Sequence, residues 1–239
     1  MRTHDFLDQF LGRCVLGSAD THQNTIAQNG DTVGDFIDVM DAAGYVRSEV
    51  LTMATVTVRP NQLAEVDGMR PYADVRVRKA ISMAINRDAI VDRVMEGVAI
   101  KAGQLLPEGF FGVSDKLTPV DYDPDGAKEL LAAAGVENLE VEIGVREAQE
   151  RIEIGQSFQN AAAQAGIKVN ITVGTAKQIL ARYRARELDV YLGAWGPDYP
   201  DPNTNAGTFA FNPDNSDEAG ATGLLAWRNA WGIPEMSEK

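Results

Sequence analysis

The stretch Leu139-Glu140-Val141-Glu142-Ile143-Gly144-Val145 decides the fold, because its apolar residues alternate with polar ones or glycine. That two-residue period is the signature of a half-buried strand. The period then changes. Ile154, Phe158, Ala161, Ala162 and Ala165 recur at helical spacing and stop at Gly166. Ile167, Val169, Ile171 and Val173 alternate again, Ala176, Ile179, Leu180 and Tyr183 return to helical spacing, and residues 188–194 read as a third strand. Strand, helix, strand, helix, strand at these lengths predicts βαβ crossovers and an α/β domain in which strands at about 139–145, 167–173 and 188–194 share one sheet.

Working toward the N-terminus, Asp123 is a natural cap with Pro124 at the first helical position. Ala127, Leu130, Leu131 and Ala134 form an apolar stripe that ends at Gly135. Residues 102–119 read as a loop punctuated by Gly and Pro. Asp74 caps a helix whose inner face is Val77, Ile81, Ala84 and Ile85, and Asp88 starts or continues one with Ile90, Val91, Val94 and Met95 inside, stopped by Gly97. Residues 45–58, rich in Val and Thr, read as a strand ending at Pro60. Before them, Phe6, Leu7, Phe10 and Leu11 suggest one short helix, and Phe36, Ile37, Met40 and Ala43 a second.

Toward the C-terminus the third strand runs into Trp195-Gly196-Pro197-Asp198-Tyr199-Pro200-Asp201-Pro202. Its prolines bar a continuing helix or central strand, so this is a stiff loop, with Gly196 giving the backbone room. Trp195 and Tyr199 beside Asp198 offer an aromatic wall and a carboxylate, which suits a cationic, partly apolar ligand. A rigid surface turn with its aromatics tucked into the core is the competing reading. The loop begins where a strand ends, and ligands of open α/β sheets sit beyond the carboxyl ends of strands. After Pro202 the chain is polar until Asp217. Leu224, Leu225, Trp227, Arg228 and Trp231 then suggest a helix ended by Gly232 and Pro234, its aromatics serving packing.

The net charge of −13 opposes nucleic acid and anionic lipid as partners. One cysteine, Cys14, rules out an internal disulfide, and no run of eighteen apolar residues marks a membrane span. No basic segment leading into an uninterrupted apolar run marks a secretory signal, and Arg13 spoils the faint lipid-attachment pattern at Cys14. Only His4 and His22 could pair with Cys14, and no phosphate loop, nucleophile elbow or zinc-ligand spacing is present, so no catalytic residue, cofactor or metal is expected. Asp121-Tyr122-Asp123-Pro124-Asp125-Gly126 begins like a calcium loop, but Ala132 stands where a bidentate glutamate belongs. Helix capping explains these residues better. The basic run Arg76, Arg78, Lys79 reads as a solvated helix face.

Trp195-Gly196-x-Asp198-Tyr199-x-x-Pro202 resembles the hallmark loop of the peptide-binding proteins of bacterial ABC importers, solute-binding protein family 5. Asp74-Val75-Arg76-Val77-Arg78-Lys79-Ala80 with Ala84-Ile85-Asn86-Arg87-Asp88-Ala89-Ile90, and Tyr122-Asp123-Pro124 with Ala127-Lys128, Leu130-Leu131 and Ala134-Gly135, resemble two further family segments in the expected order. Ala165-Gly166-Ile167-Lys168-Val169 also fits.

The resemblance implies a periplasmic or cell-surface receptor whose two lobes close over a solute and deliver it to an ABC permease in the inner membrane. It implies that Asp198 binds a peptide's α-ammonium group and that Trp195 packs over the ligand. Main-chain groups around Gly196 would pair with an extended peptide. Tyr191 and Leu192 stand where some oligopeptide binders carry arginines, which leaves the partner of the peptide's carboxylate unidentified. The family is normally longer, so the expectation is a lobe-sized fragment. Residues 1–69 would be a remnant of the other lobe or hinge, and 70–239 the C-terminal lobe of periplasmic-binding-protein type, with a mixed sheet, βαβ units and flanking helices. The N-terminal lobe would then be a missing partner. Other solutes (nickel, an oligosaccharide, an opine-like compound), an interaction module completed by a separately encoded lobe, and a hydrolase using Asp198 and Asp201 as its acid and base are the alternatives.

Overall fold

The computed structural model describes residues 14–16, 47–49, 55–106, 109–196, 199 and 201–232. The two short helices expected before residue 44 lie outside them. Strands β1 (Cys14–Leu16) and β2 (Arg47–Glu49) pair antiparallel. A separate four-stranded sheet holds β3 (Thr55–Pro60), β4 (Glu140–Arg146), β5 (Lys168–Gly174) and β6 (Val190–Trp195) in the order β3-β6-β4-β5. The strand expected over residues 45–58 is thus two strands in two sheets. Pro60 ends β3 on the sheet's edge, where its missing N–H costs no ladder bond.

The three strands read from alternation do share one sheet. β4 runs parallel to β5 and β6, and β3 runs antiparallel to β6, so the sheet is mixed. The bounds differ from the sequence reading by a residue or two, because Leu139, Ile167 and Leu188 are buried just before their strands begin.

Helix α1 (Val75–Met83) starts where Asp74 accepts the Arg76 N–H at 2.8 Å. Helix α2 (Arg87–Ala89) passes into a π-turn over Ile90–Val94, and its cap is Asn86, which accepts from Ala89 N, rather than Asp88. Helix α3 (Pro124–Ala133) is capped by Asp123, which accepts the Gly126 N–H at 2.8 Å; that cap fills the role a calcium loop would have claimed. Helix α4 (Gln149–Gln164) joins β4 to β5, and α5 (Ala176–Arg184), held by a Thr175–Gln178 capping box, joins β5 to β6. Helix α6 (Pro202–Phe209) occupies residues that read only as polar, with no element assigned. Its cap is Asp201, which accepts from Asn203 N at 2.8 Å, with Pro202 at the first position. Amphipathic patterning was absent there because α6 buries Asn205 rather than an apolar stripe. Helix α7 (Leu225–Arg228) is shorter than the periodicity suggested.

The sheet separates two unlike cores. On one face Val141, Ile143, Val145, Val190 and Leu192 pack with Phe158 and Ile154 of α4 and with α1 and α3. On the other, Tyr191, Leu188, Ile179, Tyr183 and Leu225 form a smaller cluster bordered by Trp195 and Phe209. Two glycines admit that second cluster. A Cβ on Gly144 would sit 2.5 Å from Leu188, and one on Gly193 would sit 2.3 Å from the Tyr191 ring. Both positions need hydrogen there. The ring then lies flat and stacks on Tyr183, with centroids 4.3 Å apart.

The basic run is not simply solvated. Arg78 donates to the carbonyls of Tyr72 and Ala73 and lies over the Trp231 ring at 5.5 Å, so it ties the start of α1 to the C-terminal segment. Arg76 folds back on Asp74. Among the described residues no helix is long and apolar enough to cross a membrane.

Candidate functional site

Trp195 is the last residue of β6 and projects onto the same face as Tyr191 and Gly193, as strand alternation requires. It is half-buried. Its indole edge meets the Phe209 ring at 5.7 Å and 86°. Its Nε1–H donates to Asn205 Oδ1 at 3.1 Å, and the Asn205 amide nitrogen donates to the Leu105 carbonyl. Asn205 is only 1% exposed. One buried amide therefore fixes the indole's orientation and ties it to the backbone at Leu105. Gly112 also lies against α6, beside Pro202. Nothing in sequence marked Asn205, since a lone asparagine in a polar stretch carries no period.

Gly196 follows in the open, exposed to solvent. Tyr199 is 53% exposed, and its carbonyl accepts the Asp201 N–H at 2.9 Å. Of the two aromatics expected to form a wall, Trp195 is held by its bond to Asn205 and Tyr199 is exposed to solvent. Asp198 lies outside the described residues. Asp201 is occupied as the α6 cap.

The backbone around Trp195 has one open side. β3 covers β6 from Val190 to Trp195. The β4 ladder reaches only from Ile143↔Val190 to Val145↔Leu192, and β4 itself ends at Arg146. Gly193, Ala194 and Trp195 therefore have no ladder partner on that edge among the described residues. An open edge of this kind can accept the main chain of an extended ligand.

A concavity of about 240 Å³ adjoins Trp195 between α6 and the turn into α7, and Thr208, Gly223 and Arg228 contribute to its walls. An acidic hollow at the other end of the strands, with Glu140, Glu142 and Asp189, is internally committed. Glu140 pairs with Lys168, Glu142 with Arg182, and Asp189 accepts from Glu142 N. Burial raises the Asp189 carboxyl pKa, offset by that backbone bond. Among the described residues no group of three or more His, Cys, Asp or Glu could hold a metal ion.

A mixed sheet with βαβ crossovers and flanking helices, as here, is the periplasmic-binding-protein type of α/β fold. The chain is a member of the bacterial extracellular solute-binding proteins, family 5, whose model matches residues 18–217. It is 33% identical over 138 residues to a Pseudomonas aeruginosa (strain UCBPP-PA14) protein named di/tripeptide-binding protein 2, a match covering 56% of this chain and 26% of that one. The Escherichia coli (strain K12) dipeptide-binding protein is 29% identical over 140 residues, again covering 56% of this chain and 26% of the relative. The chain thus matches about a quarter of the length of these curated relatives.

Among solved structures, the periplasmic binding protein DppA from Helicobacter pylori, in complex with the peptide STSA, superposes with a TM-score of 0.67 at 23% identity, covering 78% of this chain and 35% of that one. HbpA2 from Haemophilus parasuis gives a TM-score of 0.72 at 19% identity, covering 88% and 40%. Both show the same fold.

Proposed function

We propose that this chain is the ligand-loop lobe of an ABC importer's peptide receptor. It would act in the periplasm or at the cell surface, hand its solute to an inner-membrane permease, and catalyse no reaction. The open edge of β6 running into Trp195 and Gly196 is the observation that carries this reading. A peptide laid along that edge exchanges main-chain hydrogen bonds with Gly193–Trp195, and its terminal ammonium reaches the loop that holds Asp198. Trp195, fixed by Asn205, packs against the ligand's backbone, and Tyr199 covers it from the exposed side. The relatives named for dipeptides and the DppA neighbour solved with STSA support a peptide over another solute.

The test is a cycle measured by calorimetry. A charge-assisted contact partly shielded from water is worth about 1.5–3 kcal/mol. Asp198→Asn should therefore weaken peptide binding roughly tenfold to a hundredfold, with little effect on fold stability. N-acetylating the peptide removes the same charge from the other side. The two changes together should cost less than the sum of their separate costs. Strict additivity would mean that the ammonium and Asp198 do not meet.

A further inference from the structure

β5 is an edge strand, since the sheet runs β3-β6-β4-β5 and no strand lies beyond it among the described residues. The direction of its backbone groups follows from two bonds. Lys168 N donates to the Leu139 carbonyl, and the Gly174 carbonyl accepts from Glu147 N, both at 2.9 Å. In an extended strand the N–H and C=O of one residue point to the same side, and those of its neighbours to the other. The even-numbered residues of β5 therefore address β4, and the main-chain groups of Val169, Ile171 and Val173 point outward.

An outward row of donors and acceptors is a template for another chain. The residues favour such pairing, because Val169-Asn170-Ile171-Thr172-Val173 is rich in β-branched side chains and holds neither charge nor proline. Val173 is 46% exposed. The row is also self-complementary. A second copy laid antiparallel about a two-fold axis at Ile171 would set Ile171 against its counterpart and Val169 against Val173 in both directions, each outward N–H facing an outward C=O. One group stands in the way. Gln159 of α4 reaches this edge, and its Nε2 donates to the Val169 carbonyl at 2.5 Å. In the two-fold arrangement that carbonyl must accept the Val173 N–H of the copy, so the symmetry makes the block act twice. Lys168, exposed at the start of the strand and paired with Glu140, adds charge to the same edge.

We infer that the outer edge of β5 is the surface by which two copies of this chain would join, and that Gln159 keeps them apart by occupying the Val169 carbonyl. A partly buried amide beside Phe158 has a desolvation cost, and its bond to the strand edge offsets it. The device is independent of what the Trp195 face binds.

Gln159→Leu tests this by removing the donor while keeping a good helix former. Sedimentation equilibrium should show self-association roughly tenfold to a hundredfold tighter than in the unaltered protein, since a carbonyl on each copy is released for pairing. Gln156→Leu, on the exposed side of the same helix, adds the same apolar surface and should change nothing. Gln159→Lys keeps a donor and should stay monomeric. Val173→Pro deletes an outward N–H but no ladder bond, so it should return Gln159→Leu to the monomer. A Gln159→Leu protein that associates no more than the unaltered chain overturns the inference. So does association that survives Val173→Pro. If Gln159→Leu does not fold, hydrogen exchange in the unaltered protein decides. The Ile171 and Val173 amides should exchange fast beside slow Asn170 and Thr172, and slow exchange at Ile171 and Val173 would mean that the edge is already paired, which also overturns it.

Discussion

The two faces of the sheet are built on different principles. The α4 face is sealed by apolar side chains, and Val141, Ile143, Val145, Leu192 and Phe158 meet there with no polar group among them. The Trp195 face is closed by arginines and amides lying on aromatic rings. Arg59 covers Tyr191 and Phe209, Arg186 covers Trp227 at 3.6 Å, and Asn205 clamps the Trp195 indole. Apolar packing is non-directional and holds the lobe together. Hydrogen bonds and cation–aromatic contacts are directional, and they aim side chains. The chain leaves β6 through Trp195 on the directional side. Sealing apolar contacts and orienting polar ones thus lie on opposite surfaces of the same strands.

Substitutions should fall into two classes if this division is right. Phe158→Ala, at a position 2% exposed, should be the most damaging. It removes a ring from the sealed face, and a loss of about 3–5 kcal/mol in unfolding free energy is expected, read by denaturant titration. Arg186→Met should cost less, about 2–3 kcal/mol, because it strands the Trp227 carbonyl and the Asn215 side chain. Its damage should be local. Limited proteolysis should reach the segment from Asn215 to Gly232 before the rest of the chain opens, and uniform protection loss would erase the distinction between the faces.

The same division explains what could be read from sequence. The sealed face was legible because it is periodic. Alternation placed β4, β5 and β6, and helical spacing placed α1, α3 and α4. The Trp195 face has no period to read. Helix α6 went unseen because it buries an asparagine, and Arg78 looked like part of a charged surface although it holds backbone carbonyls. The site loop was legible for a third reason, its density of proline, aromatic and acid. Trp195 and Gly196 stand at the strand end where that composition put them, while the amide that orients the tryptophan lies ten residues on in an unpatterned stretch.

A smaller effect tests the orienting amide. Asn205→Leu is nearly isosteric but leaves the Trp195 N–H and the Leu105 carbonyl without partners, at a stability cost of about 1–2 kcal/mol. Peptide affinity should fall only about fivefold, since the indole is loosened and not removed. The diagnostic is spectroscopic. The Trp195 indole N–H should shift in the ¹⁵N spectrum and exchange faster with water, with the Trp227 signal, bonded to the Ser216 carbonyl, unmoved. Asn205→Asp keeps the acceptor for Trp195 while losing the donor to Leu105, so it should restore the indole signal toward its native position. Equal shifts for Leu and Asp would mean that packing against Phe209, and not the amide, aims the indole.

The smallest effect belongs to the sealed face, where electrostatics acts only at the margin. Asp74 caps α1 by accepting the Arg76 N–H and faces the Arg76 guanidinium, whose nearest oxygen is 2.5 Å away. The side-chain contact with Arg76, helped by the backbone bond, pushes the Asp74 carboxyl down to about 2. Its unfolded value is that of an ordinary aspartate, about 3.9. A carboxyl with a depressed folded pKa adds stability above its unfolded pKa and loses it as pH falls through the folded value. The contribution should thus be complete above pH of about 4 and fade on acidification toward about 2. Asp74→Ser keeps a capping oxygen and removes the charge. The difference in unfolding free energy between the two proteins should be flat near neutrality and shrink across that acid window. A gap that shrank instead near neutral pH would assign the effect to another group. A direct titration of the Asp74 carboxyl carbon decides the matter independently, and a midpoint near the ordinary aspartate value would show that Arg76 does not hold it in solution.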